Sequence, residues 1–166
     1  YSKDKEKECI PYALTSETKV NPLLPAREIA RLIMEDLKNA EESLTGYDPV
    51  IETGAVWGDD PEGGVNDMRY RSMRLNYYAV QALMARVALY CGEKEVAWEY
   101  AEKMIRGIHE EHKWFPFVTR EEVVTTDKED RIFQSEILFG LYNLKRKESV
   151  YEVGFGANLK QGSVLR

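Results

Sequence analysis

The stretch RLNYYAVQALMARVALYCGEKEVAWEYAEKMI, residues 74–105, decides how this chain folds. Small residues recur through it at three- and four-residue steps: Ala79, Ala82, Ala85 and Ala88 before Gly92, Ala97 and Ala101 after it. On a helix such steps share a face, and alanine there lets a neighbouring backbone come close. The segment 71–91 is apolar almost all the way round, which predicts a helix buried on more than one side. Gly92 suits its exit, because glycine accepts the left-handed backbone that ends a helix. A third helix is expected from Glu93 to about Arg106, with Val96, Ala97, Tyr100, Ala101, Met104, Ile105 and Ile108 on one face. Glu93 and Glu95 fall in its first turn, where negative charge is favoured by the dipole. Helix, glycine turn and returning helix make a helical hairpin. Ala85 and Ala97 stand at the separation of the small positions in a tetratricopeptide-type repeat. Tyr78, Leu83, Leu89 and Tyr100 then fill the flanks, each contributing roughly 1.5–3 kcal/mol on burial.

Moving outward, PAREIARLIMEDLKNAEESL at 25–44 predicts another amphipathic helix. Ile29, Ala30, Ile33, Met34, Leu37, Ala40 and Leu44 share one face, and Arg31, Glu35, Lys38 and Glu42 occupy the other. Pro25 suits a first turn and Gly46 an exit. Residues 1–22, punctuated by Pro11 and Pro22, read as an extended lead-in. Residues 46–68 form a long loop rich in Gly, Pro, Asp and Asn, of a length that usually marks function or disorder. Thr119 to Glu122 fits a capping box opening a short helix. EILFGLY at 136–142 reads either as a buried strand or as a helix end, and VYEVGF at 150–155 as a strand. The fold class is therefore mainly α: tetratricopeptide-like hairpins with long loops and one or two short strands. The 166 residues form a single domain or a fragment, with a helical-repeat region over 25–108 and a mixed helix and strand segment over 109–166. One hairpin leaves an apolar face unpartnered, and such repeats need about three neighbours for stability, so the chain reads as part of a longer array.

Composition narrows the functional classes. With 43% hydrophobic and 31% charged residues the chain reads as a soluble globular protein. A net charge of −6 argues against a surface that tracks phosphates, so no nucleic-acid partner is expected. No apolar run has the length of a membrane span. The chain starts at Tyr1 rather than Met, the expected mark of a processed or truncated start. Cys9 and Cys91 make no CxxC pair; two unpaired thiols are the plainer reading, a disulfide the alternative. There is no GxSxG, no P-loop and no Gly-rich dinucleotide turn, so neither catalysis nor a cofactor is expected. His109 and His112 in HEEH lack further ligands, and the oxygens of Asp59, Asp60, Glu62, Asn66 and Asp67 lack EF-hand spacing, so no metal site is expected.

In combination the residues resemble the SusD/RagB family. The run Arg74-Leu-Asn-Tyr-Tyr-Ala79 through Ala82-Leu83, Ala85-Arg86 and Leu89-Tyr90, then Gly92, Ala97 and Ala101, is similar to that family's hairpin. Ile10-Pro11-Tyr12 looks like its lead-in. Ile33, Asp36, Leu37 and Ala40 look like its I-x-x-D-L-x-x-A helix, and Ser135-Glu136-Ile137-Leu138-Phe139 like its S-E-I-I-F segment. The match spans roughly residues 10–142, and the family's proteins are much longer. The resemblance implies a non-catalytic, surface-exposed lipoprotein of the bacterial outer membrane. Such a protein binds glycan or another nutrient and delivers it to a TonB-dependent, SusC-like transporter. Contact with the membrane would run through a lipid anchor not present in this chain; Cys9 does not match that anchor.

Candidate residues follow from that frame. Trp57, Tyr70 and Trp114 are candidate sugar platforms, since the C–H face of a sugar stacks on an aromatic ring. Asp59, Asp60 and Arg69 are candidate hydrogen-bonding partners for its hydroxyls. Arg86, inside the apolar helix, needs a carboxylate if it is buried, with Asp36 or Glu136 as the partner by motif order. Otherwise its guanidinium reaches solvent along the helix edge. The alternative function is a helical-repeat scaffold for protein–protein interaction.

Overall fold

The computed structural model describes residues 4–55, 71–124, 132–141 and 145. In chain order these form β1 (Glu8–Pro11), β2 (Leu23–Pro25), α1 (Ala26–Leu44), α2 (Val50–Thr53), a 3₁₀ turn at Arg71–Met73, α3 (Tyr77–Cys91), α4 (Lys94–Ile105), a π-helical turn at Arg106–Glu111, α5 (Arg120–Val124) and a 3₁₀ turn at Gln134–Glu136. The chain is mainly α, as its periodicity predicts.

The hairpin is formed by α3 and α4, which pack on each other along their length. Asn76 fixes where α3 begins: its side-chain oxygen accepts the Ala79 N–H at 2.9 Å. The helix thus starts six residues after the expected Arg71, because an asparagine cap outweighs apolar periodicity in setting a helix start. Gly92 ends it at φ 84°, and the Glu93 N–H closes back on Ala88 at 2.9 Å. Ala79, Ala88 and Ala97 are buried and Ala85 half-buried.

α3 is the central helix, with α1 and α4 both packed against it. Leu37 of α1 joins Val80 and Met84 of α3 in one cluster, flanked by Ile33, Met34 and Leu83. Val80 and Met84 are wholly buried. A second cluster, Val50, Tyr78, Ile108 and Phe115, joins α2, the start of α3 and the chain after α4. Burial of α3 stops at the two faces that meet helices. Arg86, Leu89 and Tyr90 lie on its exposed side, Leu89 at 62% exposure. A helix layered between two others is covered on two sides only, so its all-round apolar character overstates its burial.

α1 presents its charged face to solvent, with Arg31 reaching Glu28 at 2.8 Å and Glu35 at 2.9 Å. Pro25 sits just before the helix rather than in its first turn. The expected capping box is formed: Thr119 Oγ1 bonds Glu122 at 2.7 Å and accepts the Glu122 N–H at 3.3 Å.

Strands occur elsewhere than expected. Residues 136–141 contain the end of a 3₁₀ turn and irregular backbone, while 150–155 lie outside the described residues. The lead-in supplies the sheet instead: β1 pairs antiparallel with β2, Ile10 opposite Leu24 and Pro11 opposite Leu23. Pro11, read as punctuation of the lead-in, ends β1, and Pro25, read as a helix first turn, ends β2; a two-stranded ribbon consists of edges, where a missing N–H is tolerated. Tyr12 then ties the lead-in to α1 by donating its hydroxyl to Asp36 Oδ2.

Two outcomes are expected. Ala88→Leu overpacks a wholly buried position of α3 and lowers stability by about 1–3 kcal/mol in urea unfolding. The Tyr12 bond to the Asp36 carboxylate pushes the phenol up to about 12. A folded-state pKa above the unfolded one stabilises below the unfolded value and loses that stabilisation as pH rises through the folded value. Amide exchange of β1 therefore quickens between pH 10 and 12 by more than the intrinsic rate increase, and Tyr12→Phe abolishes that extra step.

Candidate functional site

Among the described residues the buried charge is Asp48, not Arg86. Asp48 follows α1, and its carboxylate is wholly buried. Arg71 grips it with both prongs, Nε to Oδ1 at 3.0 Å and Nη2 to Oδ2 at 2.9 Å. The Tyr77 N–H donates to Oδ2 at 2.9 Å and the Val50 N–H to Oδ1 at 3.2 Å. The carboxylate thus caps the starts of both α2 and α3 while neutralising a guanidinium only 14% exposed. Beside it the Asn76 amide donates to the Arg71 carbonyl at 3.1 Å and the Leu138 carbonyl at 2.7 Å. The Gly140 N–H donates to the Ser72 carbonyl at 2.7 Å. One polar centre therefore gathers 48–50, 71–77 and 138–140.

The expected ion pair of Arg86 is not formed. Arg86 is exposed, and among the described residues no carboxylate pairs with it. Its other expected partners have different roles. Asp36 accepts the Tyr12 hydroxyl, and Glu136 Oε1 accepts the Val118 N–H at 2.9 Å. Burial was the premise of the pair, and the side of α3 that carries Arg86 is open to water.

Of the candidate ligand residues, Trp57, Asp59, Asp60, Arg69 and Tyr70 lie outside the described residues. Trp114 is half-buried and serves packing. Its indole N–H donates to the Ile51 carbonyl at 3.1 Å, and its ring stacks on His112 at 5.6 Å between centroids and lies against Gly54. His109 stacks in the same manner on Phe117, with centroids 5.1 Å apart. The two histidines are thus held by aromatic neighbours, and no group of three or more His, Cys, Asp or Glu among the described residues is placed to hold a metal. Cys9 and Cys91 are free, the Cys9 thiol facing the Leu24 carbonyl at 3.5 Å.

Among the described residues, two concavities are of ligand size. A groove of about 800 Å³ runs between α1 and the end of α3, lined by Arg31, Met34, Glu35, Val87 and Cys91. Its charged wall is largely self-paired, as the Arg31 bridges show. A cleft of about 500 Å³ lies at the other end of the hairpin, where the tail of α1, the start of α3 and the π-helical turn meet. His112, which covers the Trp114 ring, forms part of its wall. Trp114 thus supports that wall from behind. Neither Asp48 nor Gln81, the buried polar residues nearest these features, stands out in the sequence. The Asp48-Pro49 dipeptide signals a turn, and no pattern tells a buried glutamine in a helix from an exposed one.

No family model matches the chain, and neither a curated protein nor a solved structure matches it.

Gly54 stands at φ +68°, and a Cβ there would lie 2.9 Å from Trp114 Cε3. Gly54→Ala is expected to cost about 1–3 kcal/mol through backbone strain and ring displacement. Loss of the Ile51 bond should move the Trp114 indole N–H resonance upfield, and an unmoved resonance with unchanged urea stability contradicts this packing role.

Proposed function

We propose that this chain is the helical portion of a SusD-like protein, a non-catalytic binder of glycan or another nutrient at the bacterial cell surface that hands its ligand to a TonB-dependent, SusC-like transporter. The observation that supports this reading is how the separate sequence pieces of the resemblance depend on one another in space. Tyr12 of the lead-in bonds Asp36 of the first helix motif. Asn76 of the hairpin bonds the backbone of Leu138 in the S-E-I segment, and Glu136 of that segment holds Val118. Four pieces spread over residues 10–142 act as one scaffold, as expected of motifs kept together by a shared fold. Buried groups are spent on structure: Asp48, Arg71 and Asn76 bond within the chain rather than facing a reactant.

A protein–protein scaffold is the second reading, and one observation favours it. Trp98 on α4 and Leu89 on α3 are 69% and 62% exposed, an apolar signature of contact surfaces.

Isothermal titration against a panel of oligosaccharides, with product analysis by chromatography, separates these readings. The proposal expects saturable binding to at least one glycan with no cleavage products. Absence of binding across the panel, together with tight association to a peptide that is lost in Trp98→Ala, favours the scaffold. Turnover of any glycan overturns the non-catalytic assignment.

A further inference from the structure

The α3–α4 hairpin has two flanks, and α1 covers one of them. Leu37 of α1 packs on Val80 and Met84 of α3, with Tyr100 of α4 against the same cluster. Lys103 of α4 also reaches Glu41 of α1 at 2.7 Å. With about 3.6 residues per turn, Ala82 and Leu89 then fall on the flank of α3 away from α1. On α4 the same rule puts Trp98, Ala101 and Ile105 on the flank opposite Tyr100 and Lys103.

This second flank is apolar and open. Leu89 is 62%, Trp98 69% and Ile105 47% exposed. Half-buried Ala85 and Ala101 supply a shallow floor between the helices. Contiguous exposed apolar surface of this kind marks an interaction site.

Its charges are arranged by edge. Arg86 is the one charged residue of α3. It lies on the outer edge of the open flank, exposed and without a carboxylate partner among the described residues. The outer edge of α4 carries Glu95 and Glu102, both exposed. Arg106 already pairs with Glu102 at 3.4 Å, whereas Glu95 has no such partner among the described residues. Glu99 points further round, into the wall of the smaller cleft, and Lys94 stands in the first turn of α4. The α3 edge is therefore positive and the α4 edge carries an acid free to pair.

Arg86 stands six residues before Gly92 and Trp98 six after it, so the two are level along the hairpin. A two-fold axis parallel to the helices sets α3 of one copy over α4 of the other at the same height. Each Arg86 then meets the Trp98 ring and the Glu95 carboxylate of the other copy, a cation–π contact beside an ion pair. Leu89 packs on the same Trp98. A two-fold axis across the helices sets α3 on α3 instead, and α3 holds no acid to receive Arg86. The flank is thus self-complementary in one arrangement. α3 has 15 residues, so the flank is about 22 Å long and about 20 Å wide. It offers roughly 450 Å² per copy and about 900 Å² in all, the size of a weak, reversible association.

We propose that the open flank of the hairpin binds a second copy of this chain, forming a weak two-fold dimer in which Arg86 of each copy sits on Trp98 and Glu95 of the other. This goes beyond both readings above, because the association needs neither a glycan nor a peptide.

The test is analytical ultracentrifugation of the 166-residue chain from low micromolar to millimolar concentration. The expected result is a reversible monomer–dimer equilibrium with a high-micromolar Kd. Arg86→Glu and Glu95→Arg should each weaken it roughly tenfold or more, since each sets like charges together. An equal mixture of the two variants should restore the dimer to within about threefold of wild type, because the swapped charges then pair across the axis. Lys38→Glu, on the α1 side, should leave the Kd unchanged. These side chains are exposed, so circular dichroism should show each variant folded as wild type. A chain that stays monomeric throughout overturns the proposal and leaves the flank to another occupant, such as further helices of a longer chain. Growth into larger species overturns the closed two-fold arrangement. A dimer that the charge swaps leave intact, or that mixing them does not restore, overturns the Arg86–Glu95 contact. None of these outcomes bears on glycan binding.

Discussion

The fold depends on a carboxylate that it buries. Removing Asp48 from water costs several kcal/mol, and only good geometry with further hydrogen bonds offsets that cost. The structure supplies both: a two-pronged guanidinium and two backbone N–H groups. Each belongs to a different piece of chain, so satisfying one charge fixes three segments. α1 is tied through its exit, α2 and α3 through their first turns, and Arg71 through the 3₁₀ turn that precedes α3. A hydrophobic cluster alone would tolerate sliding between these elements, whereas a bidentate bond adds a specific geometry that sets their register.

Asn76 extends the same logic to the C-terminal part. Its oxygen caps α3 and its nitrogen holds the Leu138 carbonyl, so the start of the central helix also anchors the segment 138–140. With α3 fixed at that end, Tyr77 and Tyr78 have defined directions: Tyr78 goes into the core against Phe115, and Tyr77 stands beside Lys103. The cleft is a consequence of this arrangement. Its floor is the start of α3, its rim the exit of α1, and its far wall the π-helical turn that Gly107 allows to approach. A binding scaffold requires this kind of rigidity, because a preorganised pocket loses less entropy when filled.

The helices were legible in the sequence because their signals are local. The steps of Ile29, Ile33 and Leu37 define a face, Gly92 ends α3 through its own φ, and the capping box at Thr119 lies within one turn. What stayed hidden depends on partners distant in sequence. Nothing near Asp48 announces that Arg71 will reach it, and nothing near Arg86 announces that its side of α3 stays open. Pro11 reads as punctuation and Pro25 as a helix start, because pairing of β1 with β2 is a long-range fact. The candidate site divides in the same way. Aromatic residues and acids can be counted from the sequence, but the bond of Trp114 to Ile51 and the orphaned oxygen of Gln81 exist only once the segments are assembled.

The most direct test of the central claim is a double-mutant cycle at Asp48 and Arg71, read by urea unfolding. Asp48→Asn alone leaves a nearly buried guanidinium uncompensated and should cost about 3–5 kcal/mol. Arg71→Met should destabilise as well, and the double variant should cost less than the sum of the singles by at least about 1 kcal/mol. Single losses that simply add, within about 0.5 kcal/mol, would mean that the two side chains act independently and that the fold does not hang on their bond.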